Sequence, residues 1–162
     1  NDVKHQVKIM LTINSDTHFM EQALLQADLA DQQLEIPVGA VIVCEDKIIA
    51  RAYNQVEQLR DVTAHAEILA ITAAQNYLSS KYLDRCTMYL TLEPCTMCAG
   101  ALFWSQMGAL VIGARDLKRG FSLLKPIPLH PKTKVRYGML ESDCKAKIKN
   151  FFKKIRNKQK ER

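Results

Sequence analysis

Apolar side chains recur three and four positions apart at Phe19, Ala23, Ala27 and Ala30, the spacing of one helical face. Ser15 suits an N-cap and Asp16 a first turn, so the pattern predicts a helix that starts after Ser15 and runs to about Gln33. The period then changes. Val38 to Cys44 (VGAVIVC) is a short apolar run that reads as a strand, Glu45-Asp46 as a turn, and Lys47 to Tyr53 (KIIARAY) as the hairpin partner. A second helix is predicted from about Ala64 to Leu78 and a strand over Thr87 to Leu92. A third helix follows over Cys95 to Ser105, with Pro94 where a missing N–H costs nothing. Ala109 to Gly113 (ALVIG) reads as a buried strand, and Pro126, Pro128 and Pro131 keep Arg115 to Lys134 irregular. A short strand through Val135 to Gly138 and a final helix from Glu141 complete the series. Strands alternating with helices predict a layered α/β domain.

The chain has 162 residues, enough for one domain with a sizeable core, and shows no repeat, low-complexity tract or Gly/Ser linker to divide it. The expected organisation is a single domain over 1–162, with its core at 15–158 and a basic C-terminal helix and tail at 141–162. No apolar run approaches the ~20 residues of a membrane span, so no membrane partner is expected. Asn1-Asp2-Val3-Lys4-His5 is not a basic segment leading into an apolar one, so no signal peptide is expected either. Five cysteines (Cys44, Cys86, Cys95, Cys98 and Cys144) form an odd set, which argues against a disulfide framework and for a reducing, cytoplasmic setting. Cys44 and Cys86 beside apolar strands, and Cys144 near a helix start, read as packed free thiols. Net charge is +6, yet nine Lys or Arg against Glu161 alone lie between Lys145 and Arg162, giving that segment +8 and the rest −2. Such a tail suits a polyanion such as nucleic acid, or else forms a solvated helical face.

The chemistry is concentrated in His65-Ala66-Glu67 and Pro94-Cys95-Thr96-Met97-Cys98. His65, Cys95 and Cys98 supply three ligands for one zinc per chain and leave a fourth position for water, the catalytic rather than the closed structural arrangement. H-x-E paired with P-C-x-x-C is the signature of zinc nucleobase deaminases. Both half-motifs fall at predicted helix starts, where the helix dipole favours thiolates. Within a regular helix His65 and Glu67 would be about 200° apart, so both address one site only if His65 lies in the turn leading into the helix, with Thr63 a plausible cap. Zinc in such a site makes water a nucleophile at neutral pH. Glu67, not needed as a ligand, is then the proton shuttle: water adds at an amidine carbon and ammonia leaves. The competing reading is a zinc-structured RNA-binding module, with Cys86 or Cys144 closing the site as a fourth ligand.

On these residues the chain resembles the bacterial tRNA-specific adenosine deaminases of the cytidine deaminase-like superfamily. The resemblance is carried by IPVGAVIV (Ile36 to Val43), TAHAEILAI (Thr63 to Ile71), YLTLEPCTMCAGAL (Tyr89 to Leu102) and VIGARD (Val111 to Asp116), with GML and FFKKIR further on. It extends from about Phe19 to Arg156. It implies a three-layer α/β/α fold with a central mixed five-stranded sheet, a homodimer, and hydrolysis of the wobble adenosine of a tRNA anticodon stem-loop to inosine. It also implies that His65, Cys95 and Cys98 bind zinc and that Glu67 moves the proton. Asn54 would hold the flipped base or its ribose, and the Ala66 backbone with Pro37, Val38 and Gly39 would shape the base pocket. Arg115, Asp116 and Lys118 would lie near the anticodon, and Phe151, Phe152 and Arg156 would contact tRNA. Each of these has a plainer alternative: Asn54 as a turn residue, Arg115 and Lys118 as loop charges, and at least one of Phe151 and Phe152 as core. The chain departs from the family pattern at Gln55-Val56-Glu57 and in LKRGFSLLKPIP after Asp116, and Phe103-Trp104 is similar to the guanine deaminases. Trp104 is expected in the core or in a dimer interface. The second enzymatic reading is a free-base or nucleoside deaminase acting on guanine or cytosine; the basic tail favours tRNA.

Overall fold

The computed structural model describes residues 2–161, with side chains from 16 to 161. Five strands form one mixed sheet in the order β2-β1-β3-β4-β5: β1 (Gly39–Cys44), β2 (Lys47–Tyr53), β3 (Cys86–Leu92), β4 (Ala109–Ala114) and β5 (Lys134–Tyr137). β1 runs antiparallel to both β2 and β3, whereas β3, β4 and β5 are parallel. β2, β3, β4 and β5 therefore all point one way, with β1 entering between the far ends of β2 and β3. β1 is buried along its whole length, as its unbroken apolar run requires of a strand covered on both faces.

Helices α3 (Ala66–Leu78) and α4 (Thr96–Trp104) cover one face, where Ala70, Ala74, Leu90, Leu102 and Leu110 share a core with Phe121. α1 (Asp2–Gln32) and α5 (Glu141–Lys160) cover the other, with Phe19, Met20 and Ala23 packed on Val41, Tyr89 and Val111. The expected three-layer architecture is observed. A Cβ at Gly39 would lie 1.9 Å from the Ala23 carbonyl oxygen, so glycine is what lets α1 approach the start of β1. Among the described residues, no helix is long and apolar enough to cross a membrane.

Two expectations are corrected, and two short elements were not foreseen. The first helix does not start after Ser15 but runs unbroken from Asp2, since no Gly or Pro interrupts the segment. Asp16 is accordingly not a first-turn residue: it is buried, and it accepts the Tyr89 hydroxyl at 2.5 Å and pairs with Arg136 of β5. A short helix not foreseen, α2 (Val56–Leu59), occupies the segment before α3. The loop after β4 also contains a 3₁₀ turn at Phe121–Leu123, anchored by buried Phe121.

Candidate active site

Both halves of the motif begin helices. His65 is the N-cap of α3, extended at φ −71° and ψ 153°, and its carbonyl accepts the Leu69 N–H. Cys95 is the N-cap of α4 at φ −74° and ψ 175°, and its carbonyl accepts the Ala99 N–H. His65 therefore stands outside the helix, which removes the angular conflict with Glu67. Thr63 is not the cap; its hydroxyl donates to Asp61. Because β2 and β3 run the same way, the two helices start side by side at the carboxyl ends of their strands, where α/β folds place their sites.

The His65 Nδ1 lies 3.7 Å from the Cys95 Sγ and 3.5 Å from the Cys98 Sγ, and all three donor atoms lie within 4.8 Å of one another. Tetrahedral zinc with ordinary Zn–S and Zn–N bonds would set its sulfur and nitrogen donors about 3.6 Å apart. The donor set fits a zinc ion. Neither Cys86 nor Cys144 belongs to this group: Cys86 faces Cys44 across β1 and β3, and Cys144 sits under Gly113. The closed four-ligand reading therefore finds no fourth thiol here.

Glu67 is buried at 4% exposure, and burial pushes its carboxyl up to about 7, against the opposing effects of its own backbone N–H and of His65. Hydrogen bonds from Cys98 and His65 hold the Cys95 thiol down at about 3, while the neighbouring Cys95 and burial push Cys98 up. A metal that takes both sulfurs takes them as thiolates, so its binding releases the thiol protons. His65 is raised by its hydrogen bond with Cys95.

The start of β1 lies between the two helix starts. Pro37 and Gly39 are buried and Val38 is half-buried, with the Gly39 N–H donating to the Thr91 hydroxyl at 3.1 Å. Ala66 is fully buried. Asn54 is buried at the end of β2, and its side-chain N–H donates to the Ile36 carbonyl at 3.3 Å. Arg115 is exposed and stacks on the Tyr137 ring at 3.7 Å, Lys118 is exposed, and the Asp116 carboxylate accepts the Lys118 and Arg119 N–H groups at 3.0 Å. On α5, Phe152 and Arg156 are exposed whereas Phe151 is 5% exposed and packs inward, so only one of the two phenylalanines presents a surface. Trp104, at 77% exposure, is not a core residue.

Two buried carboxylates beside the site escaped the sequence reading. Glu35 accepts the Glu57 and Gln58 N–H groups at 3.2 and 2.6 Å and so holds α2 against the loop into β1. Glu93 accepts from Ser122. Glu35 stands two residues before Pro37, at the edge of one motif stretch, and Glu93 directly before Pro94 within another, which was the available signal.

The cytidine and deoxycytidylate deaminase zinc-binding region family matches residues 13–114, a span that contains all three donors and Glu67. A tRNA-specific adenosine deaminase of Aquifex aeolicus is 43% identical over 145 residues, covering 86% of this chain and 95% of that protein. A solved structure from a study of A-to-I editing by tRNA:A34 deaminases superposes with a TM-score of 0.76 at 40% identity, covering 81% of this chain and 99% of the other. A guanine deaminase from Nitrosomonas europaea shares the fold at a TM-score of 0.71 but only 26% identity, with 83% of each chain covered. Zinc is the cofactor that this family and this donor set have in common. The chain belongs to the tRNA-specific adenosine deaminases of the cytidine deaminase-like superfamily.

Proposed function

We propose that this chain hydrolyses the wobble adenosine of a tRNA anticodon to inosine, releasing ammonia. The observation that carries the reading is a buried glutamate beside a three-donor metal group that does not need it as a ligand. His65, Cys95 and Cys98 would hold the zinc, which when bound supplies the Lewis acidity that makes water an available nucleophile. Glu67, poised near neutrality, takes a proton from the attacking water, hands it to the ring nitrogen and protonates the departing amine. The Ala66 backbone with Pro37, Val38 and Gly39 shapes the base pocket. The Asn54 carbonyl oxygen accepts from the base or its ribose.

The RNA surface is assigned to Arg115 and Lys118 beside the pocket and to Phe152 and Arg156 on α5. Asp116 acts there by shaping the turn, and Phe151 by seating the helix. The protein works in the cytoplasm as a homodimer, joined through the apolar face around Trp104, Phe103 and Tyr82. Trp104 and Tyr82 are exposed there with Phe103 half-buried beside Trp104, and aromatic surface of that kind is costly on a monomer.

The test is to incubate the protein with an anticodon stem-loop carrying a wobble adenosine, alongside free adenosine, guanine and cytosine, and to assay inosine and ammonia. Inosine from the stem-loop alone supports the reading. Ammonia from guanine with the stem-loop untouched would transfer the chain to the free-base deaminases, the alternative that the Nitrosomonas structure represents.

A further inference from the structure

Glu93 is the last residue before the Pro94-Cys95 turn that carries a metal donor, and it is 3% exposed. It does not face that donor's partners. Its two carboxyl oxygens accept the Ser122 hydroxyl at 3.1 and 3.0 Å, and one also accepts the Ser122 N–H at 3.4 Å. The backbone repeats the connection, with Glu93 N–H donating to Ala114 at 2.8 Å and Phe121 N–H to Pro94 at 3.0 Å. The segment after β3 and the segment after β4 are thus stitched together at three points.

Gly120 completes the fit. A Cβ at that position would lie 1.6 Å from the Glu93 Oε2 and 2.6 Å from the Asp116 carbonyl oxygen, so the absence of a side chain is what makes room for the carboxylate. Between these anchors the chain turns outward through Leu117, Lys118 and Arg119, all exposed, with the Asp116 carboxylate holding the Lys118 and Arg119 N–H groups. An outward apex with two cations on a buried, doubly anchored base suits a polyanion that must be held in register with the metal centre. It offers nothing to a small neutral base.

We propose that Glu93 is a positioning residue that clamps the Asp116–Ser122 turn to the metal-donor turn and so sets how a nucleic-acid strand seats over the site. The proposal rests on the RNA reading above. It assigns Glu93 to strand seating, not to proton transfer or metal binding.

The experiment compares wild type, Glu93→Ala, Glu93→Gln and Ser122→Ala for zinc content, stem-loop affinity, kcat and KM, and amide hydrogen exchange at Phe121 and Ser122. Glu93→Ala and Ser122→Ala should speed exchange at these amides and raise KM and Kd for the stem-loop about tenfold, the worth of one lost buried hydrogen bond, with kcat and zinc content near wild type. Glu93→Gln, which keeps a side-chain oxygen for Ser122, should recover most of the affinity. Lost zinc with a matching fall in kcat and an unchanged KM would overturn the proposal in favour of plain support of the metal turn. Unchanged exchange and affinity in all three variants would overturn it as well. If Glu93→Ala fails to fold, Ser122→Ala, which removes one hydroxyl, decides the matter. A wild-type protein that makes no inosine from the stem-loop would strike the RNA-editing reading alone, since exchange and affinity still judge the clamp.

Discussion

His65 and Cys98 meet across 3.5 Å, Nδ1 to Sγ, although 33 positions separate them in the chain. Convergence at that range is what a metal needs, and it separates the donors from the proton shuttle. His65→Ala or Cys98→Ala should abolish zinc retention, and with it turnover. Glu67→Gln should keep about one zinc per chain and lose about 10²- to 10⁴-fold in rate, the usual worth of general acid–base catalysis. Elemental analysis paired with single-turnover kinetics checks both. Activity surviving in Glu67→Gln would remove the shuttle assignment.

The Asp16–Tyr89–Arg136 group ties α1 to β3 and β5 from beneath the sheet. Burial first, and then the hydrogen bond to Asp16, raise the Tyr89 hydroxyl above its ordinary value. A raised folded-state pKa means that the contribution is complete below the unfolded tyrosine value of about 10 and fades as pH rises beyond it. Urea midpoints should therefore fall more steeply between pH 9 and about 11 in wild type than in Tyr89→Phe. Parallel curves for the two proteins would show that Tyr89 does not titrate as the packing demands.

Trp104 stands 77% exposed on α4, with the Phe103 ring edge-on at 5.4 Å. Trp104→Glu should shift the protein from dimer to monomer in sedimentation velocity while leaving zinc content unchanged. A wild-type monomer at micromolar concentration would defeat the dimer reading outright.

The lysines of α5 are not equivalent. Lys147 and Lys154 pair with Asp28 and Asp31 of α1, whereas Arg156 and Lys158 are exposed. Arg156→Gln and Lys158→Gln should each weaken stem-loop binding and lower the steepness of its salt dependence by about 0.7 to 1. Lys147→Gln should instead act mainly on stability. Equal salt slopes across all three variants would argue that α5 makes no phosphate contact.

The central strands were legible because β1 and β4 are apolar throughout and their flanks carry turn residues. The metal donors were legible because their chemistry is written in residue type and spacing. What escaped depends on contacts far along the chain. Ser15-Asp16 has the form of a helix start, but nothing in the sequence discloses that Asp16 meets Tyr89, 73 positions away. A four-residue helix such as α2 has little propensity of its own and owes its place to Glu35, 22 and 23 positions earlier. Thr63 looks like a cap, yet the chain turns into α3 only at His65. Trp104 sits in an apolar helix, where its residue type suits the core or an interface alike, and only the exposure of its side chain excludes the core.

The two donors at helix starts have a bearing on how this protein persists in a cell. An ion held between His65 and Cys95 closes a loop of 30 positions and fastens the beginnings of α3 and α4 to each other. Only the folded chain presents that geometry, so free zinc and folding are thermodynamically linked. Above the dissociation constant, each tenfold rise in free zinc deepens the folded state by about 1.4 kcal/mol. Metal starvation would thus reduce the amount of enzyme through proteolysis of opened chains, before any loss is counted per molecule.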